Sequence, residues 1–127
     1  MQVFPVIAAA AAAWLFGAAW YMALAKPWMA AAGLSESQAR RRSPAPFILA
    51  FVCLLLVAGM VRHLFAMTGI ATAEAGLTAG LGLGLFVAVP WIATGYAFAN
   101  RPATLTLIDG GYAAAGTAVI GLVLTLV

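Results

Sequence analysis

Residues 3–25, 46–67, 74–99 and 103–127 are each long and apolar enough to cross a hydrocarbon core, which takes about 20 mostly apolar residues for a thickness of about 30 Å. No other feature limits the fold as strongly. A chain in lipid must bond its own backbone, so each stretch has to be a helix. The rest of the sequence offers no soluble alternative. Of 127 residues, 66% are hydrophobic and 7% are charged, against about 25% charged in soluble domains. Six Lys and Arg with three Asp and Glu cannot solvate a water-facing surface of this size. That excludes a soluble enzyme, a nucleic-acid-binding domain and a disordered chain. The expected fold is all-α and integral to the membrane: four transmembrane helices in one compact bundle, a single domain over 1–127.

The first stretch reads as a retained helix. A cleaved signal peptide has a basic leader and an apolar core of about 7–15 residues, whereas Met1-Gln2 carries no charge and Lys26 follows the apolar run. Orientation is set by where Lys and Arg fall. Lys26, Arg40, Arg41 and Arg42 lie in the first connection and Arg101 in the third, with only Arg62 on the opposite side. Both connections are therefore expected in the cytoplasm and both termini outside, in a bacterial inner membrane. Within the first connection, Pro27 and Gly33 interrupt the helix. Ser35-Glu36-Ser37-Gln38 then fits a capping box, expected to open a short interfacial helix over 36–42.

Helices in lipid associate through close packing, because lipid tails are as apolar as leucine. Small residues mark the expected contacts. Gly76, Gly80 and Gly84 recur at every fourth position of the third helix, and Ala9, Ala13 and Gly17 do so on the first. The fourth carries Gly110, Gly111, Ala114, Ala115 and Gly116. Such faces serve either the packing of one bundle or docking on a second copy or another membrane protein. Pro90, inside the third helix, removes a backbone bond and is expected to bend it.

Charges inside a span cost about 2.5–3.5 kcal/mol each at the centre on insertion scales, so each is a candidate site. Asp109 lies seven residues past Pro102, roughly 10 Å along a helix that rises 1.5 Å per residue, near the edge of the hydrocarbon. Tyr96, Asn100 and Arg101 approach that level from the third helix and its turn. Trp20, Tyr21, Lys26 and Trp28 approach it from the first helix and loop, and Tyr112 is one turn deeper than Asp109. Two readings compete: a polar site open to the cytoplasm, or a tie between Asp109 and Arg101 or Lys26 with an interfacial aromatic belt. At the far end, Arg62 and Glu74 are placed to pair. His63 stands alone, with no metal site expected around it, and Cys53 is expected in the core. No Ser/His/Asp set, paired carboxylates or phosphate loop occurs, so neither catalysis nor a cofactor is expected.

Some of these residues also carry a resemblance. Gly17-Ala18-Ala19-Trp20-Tyr21, Lys26-Pro27-Trp28-Met29 and Gly33-Leu34 resemble the opening signature of a bacterial family of small membrane proteins, domain of unknown function 1761. Arg101 followed by Asp109-Gly110-Gly111-Tyr112 is similar to its closing signature. The resemblance implies four membrane helices and no established activity. This chain departs from it in having an acid where the family more often has Asn, and an extra glycine before the tyrosine. Without catalytic groups, the expected role is a structural or accessory protein that packs against itself or a larger membrane complex through its Gly/Ala faces. The alternative is a homo-oligomeric small-solute or ion transporter or channel, with its site around Asp109.

Overall fold

A computed structural model describes residues 3–35, 37, 38 and 43–127. Among these the chain forms helices α1 (Phe4–Ala23), α2 (Ala25–Ala32), α3 (Ala45–Thr68), α4 (Ala73–Phe98) and α5 (Ala103–Leu126), with no strand. Four of them, all but α2, are long and apolar enough to span a membrane. The all-α bundle of four membrane-length helices follows the sequence.

Local chemistry sets the helix ends. Pro27 has no N–H to give Ala23, and its ring crowds that carbonyl. The first helix therefore breaks at Leu24 (φ −109°, ψ 20°) and resumes as α2. Gly33 closes α2 in the left-handed region at φ 74°, with Gly33 N–H donating to the Ala30 carbonyl and Leu34 N–H to Met29. This paired closure satisfies two orphan carbonyls. Gly69 (φ 74°) ends α3, with Ile70 N–H reaching the Phe65 carbonyl. Thr72 caps α4 by accepting the Ala75 N–H at 3.2 Å. The capping box is also present. Ser35 N–H donates to Gln38 Oε1 at 2.8 Å and Gln38 N–H to Ser35 Oγ at 3.2 Å. Most of the interfacial helix expected after it, including all three arginines, lies outside the described residues.

Alanine at Gly33 or Gly69 would meet no atom within 4 Å, so its whole cost is conformational. Each substitution is expected to lose about 1–2 kcal/mol, read as a lowered unfolding midpoint in detergent. An unchanged midpoint would mean that these turns are not left-handed.

The bundle is built around α5, the most buried span, whereas α3 is the least. Gly76, Gly80 and Gly84 of α4 lie directly on α5. A Cβ on Gly76 would stand 2.5 Å from the Gly121 carbonyl oxygen, and Cβ atoms on Gly80 and Gly84 would run into Thr117 and Ala114. The contact is reciprocal, since a Cβ on Gly121 would strike the Gly76 carbonyl. Two backbones therefore touch, which any side chain would prevent. On α1, Ala9, Ala10 and Ala13 are fully buried, and Ile120, Val61 and Phe65 complete the core. The small-residue faces are thus occupied inside the chain. Thr68, Thr78, Thr94, Thr117 and Thr125 return their hydroxyls to carbonyls three or four residues back, so these polar groups need no partner across a helix interface.

Two expectations are corrected. Cys53 is exposed on the outer side of α3 and not in the core. Among the described residues no ion pair joins Arg62 to Glu74. Glu74 is exposed in the first turn of α4, where the helix dipole favours an acid. Pro90 is accommodated by a wide turn, Gly84–Ala88, closed by Val89 N–H on the Gly84 carbonyl. The five-residue reach of that bond spares the carbonyl that the Pro90 ring would otherwise meet.

Candidate functional site

The packed core gathers toward the start of α1 and the end of α5; the polar residues gather toward the other end. Asp109, in the second turn of α5, accepts two hydrogen bonds. Tyr21 Oη of α1 donates to Oδ1 at 2.6 Å, and Tyr96 Oη of α4 donates to Oδ2 at 2.5 Å. One carboxyl group thus joins three spans. Neither cation expected to neutralise it does so. Arg101 Nη2 donates to the Ala32 carbonyl at 3.1 Å, tying the α4–α5 turn to the end of α2, and Lys26 is exposed. Among the described residues no Lys, Arg or His pairs with Asp109.

The wide turn in α4 explains why Tyr96 reaches this acid. Tyr96 stands twelve residues after Gly84. At 3.6 residues per turn, a regular helix would point it about 120° away from Gly84, and so away from α5. One extra residue held in the wide turn reduces that angle to about 20°. Tyr96 therefore shares the Gly84 side and faces α5. Asn100, named from the sequence at the same level, has another role. At φ 61° it is the left-handed cap of α4, with Arg101 N–H donating to the Tyr96 carbonyl. The signal in the sequence that Tyr96 faces α5 is Pro90, read as a change of register.

The aromatic residues interlock through glycines. Tyr112 lies over Gly17, where a Cβ would come within 2.7 Å of its hydroxyl, and donates to the Ala13 carbonyl at 2.9 Å. Trp20 lies over Gly111, where a Cβ would come within 2.9 Å of the indole, and donates to the Ile108 carbonyl at 3.0 Å. The glycine that precedes Tyr112 is thus the seat of Trp20. Tyr21 meets Tyr112 edge to face at 5.5 Å and Trp28 at 6.1 Å.

Beside this network lies a cleft of about 970 Å³. It opens because α3 starts high. Trp14 of α1 donates its indole N–H to the Phe47 carbonyl at 3.1 Å, in the first turn of α3. The last turns of α1 run on past that contact and face the cleft together with Ala25, Trp28 and Met29. Leu15, Ala18, Met22, Phe47 and Ala50 supply apolar wall, Trp14, Tyr21, Trp28 and Tyr112 supply rings, and Asp109 is the acid among the lining residues. A mostly apolar hollow of this size with few polar groups has the make-up of a ligand pocket. Of the residues named from the sequence, Asp109, Tyr21, Tyr112 and Trp28 meet at this cleft. Trp20 and Arg101 hold its surroundings, while Lys26 and Asn100 lie outside it. Trp14 and Phe47 were missed, since both lie within apolar runs away from the level of Asp109.

The family profile described as "Protein of unknown function (DUF1761)" matches residues 4–125. No curated protein and no solved structure matches the chain. With the match covering all four membrane-length helices and the whole of the cleft, this chain belongs to the DUF1761 family.

Proposed function

We propose that this small multi-pass protein binds an amphiphilic small molecule in the cleft and carries it at one face of a bacterial inner membrane. One observation carries the reading: the apolar wall of a ligand-sized cleft is broken by a single carboxyl group that two tyrosines hold in place. A bundle built only to pack would gain nothing from an acid there, because burying a charge is costly. The excess of Lys and Arg in the first and third connections supports a cleft mouth toward the cytoplasm and both termini outside. Binding and release suit a site whose one carboxyl group is already held by two tyrosine hydroxyls. Self-association or docking on a larger complex would fall to the exposed surface of α3, since the glycine faces are covered.

Filling the cleft tests this. Ala18 and Ala50 line it and are exposed, so phenylalanine at both occupies the space without disturbing the core. In detergent, a bromoalkanol is expected to quench the cleft tryptophans Trp14 and Trp28 in the native chain. At least half of that quenching should vanish in the Ala18→Phe, Ala50→Phe variant. Equal quenching in the two proteins would refute a binding cleft.

A further inference from the structure

We infer that the cleft is selective for a monocationic amphiphile, an alkylated ammonium ion. Its head stands against Asp109 and the rings of Tyr21 and Trp28, and its tail lies along Leu15, Phe47 and Ala50. The inference rests on the reading of the cleft as a binding site and adds the charge and shape of its occupant.

Charge is the first argument. Each oxygen of the Asp109 carboxylate accepts one tyrosine hydroxyl and keeps lone-pair capacity for a further contact. Among the described residues no cation pairs with it. Arg101, the nearest in sequence, donates to the Ala32 carbonyl. An anionic group in a low-dielectric wall attracts a cation far more strongly than it would in water. The same charge repels fatty acids and phosphate esters.

The rings narrow the class of cation. Tyr21 and Trp28 meet edge to face at 6.1 Å, Tyr21 and Tyr112 at 5.5 Å, and all three line the cleft with the acid. Ring faces beside a carboxylate are the surroundings that alkylated ammonium ions select, through cation–π attraction and contact with their methyl groups. A divalent metal needs several oxygen or nitrogen ligands, and among the described residues no three His, Cys, Asp or Glu gather anywhere. Beyond the rings the wall turns aliphatic, and unbranched Met22 and Met29 adapt to tails of varied length.

The test is equilibrium dialysis of the full chain in maltoside detergent, with empty micelles subtracted. Two probes are compared, octyltrimethylammonium and its neutral analogue with carbon in place of the ammonium nitrogen. The native chain is expected to bind the cation at least tenfold more tightly. Asp109→Asn should remove that preference, and Ala18→Phe, Ala50→Phe should weaken both. Equal affinity of the native chain for the two probes, with both weakened by the filled cleft, overturns the charge selectivity and leaves the binding cleft standing. Absence of binding by either probe, or binding indifferent to the filled cleft, overturns both. The comparison of probes on the native chain decides the matter even where Asp109→Asn fails to fold.

Discussion

Leucine at Gly80 is expected to abolish the folded protein, while leucine at Gly82, two positions along the same helix, is expected to be tolerated. A Cβ on Gly80 would overlap the carbonyl oxygen of Thr117 and come within 3.1 Å of the Ala118 Cα, whereas one on Gly82 would meet nothing within 4 Å. Overpacking against side chains that can move costs about 1–3 kcal/mol. Here the obstacle is backbone, so the helices must separate, and the Gly76 and Gly84 contacts on the same seam separate with them. A loss above about 3 kcal/mol follows, large against the ~5–15 kcal/mol stability of ordinary proteins. The expected result is aggregated or protease-sensitive Gly80→Leu protein beside monodisperse Gly82→Leu protein, read by size exclusion and thermal unfolding in detergent. If both variants melt with the native chain, α4 does not meet α5 through this face. A native gel in which Gly80→Leu stays folded and only loses an oligomer would instead make that face an interface between chains.

Removing both hydroxyls from Asp109 is the second large effect. A hydrogen bond to a charged group contributes about 1.5–3 kcal/mol. Between neutral groups in membrane helices the average is nearer 0.6 kcal/mol. The carboxylate places Tyr21 and Tyr96 in the stronger class, so the Tyr21→Phe, Tyr96→Phe variant is expected to lose about 3–6 kcal/mol. Most of that is the penalty of leaving a charge among apolar groups without partners. Adding Asp109→Leu to the double variant should therefore restore stability, because replacing all partners by apolar groups of similar shape is nearly neutral. Unfolding of the single, double and triple variants in one detergent measures it. A triple variant no more stable than the double would mean that the acid is not held by the two tyrosines.

Both experiments probe contacts that the sequence announced only in part. The four spans, the small-residue faces and the depth of Asp109 are local properties. Hydropathy is summed along the chain, and a helix rises a fixed 1.5 Å per residue, so each can be read without knowing what lies opposite. The capping box at Ser35 and Gln38 is local too, and its hydrogen bonds are in place. So is the recurrence of Gly76, Gly80 and Gly84, which marks a face without naming its partner.

What faces what was decided by the tertiary structure. Whether Tyr96 meets Asp109 depends on one extra residue in a turn, because that residue rotates everything after it by about 100°. The turn forms where Pro90 follows the glycine seam, and the sequence marks Pro90 without marking how the helix absorbs it. Pairing of Asp109 with Arg101 was plausible from depth alone, but Arg101 is drawn to the Ala32 carbonyl left open at the end of α2. The cleft is more remote still from the sequence. It exists because Trp14 fastens α1 to the first turn of α3, a stagger between helices that no single helix encodes. Sequence alone determined four membrane-length helices and an acid seven residues past Pro102. Rotation and offset of packed helices, which are set by contacts between distant segments, made that acid part of a site.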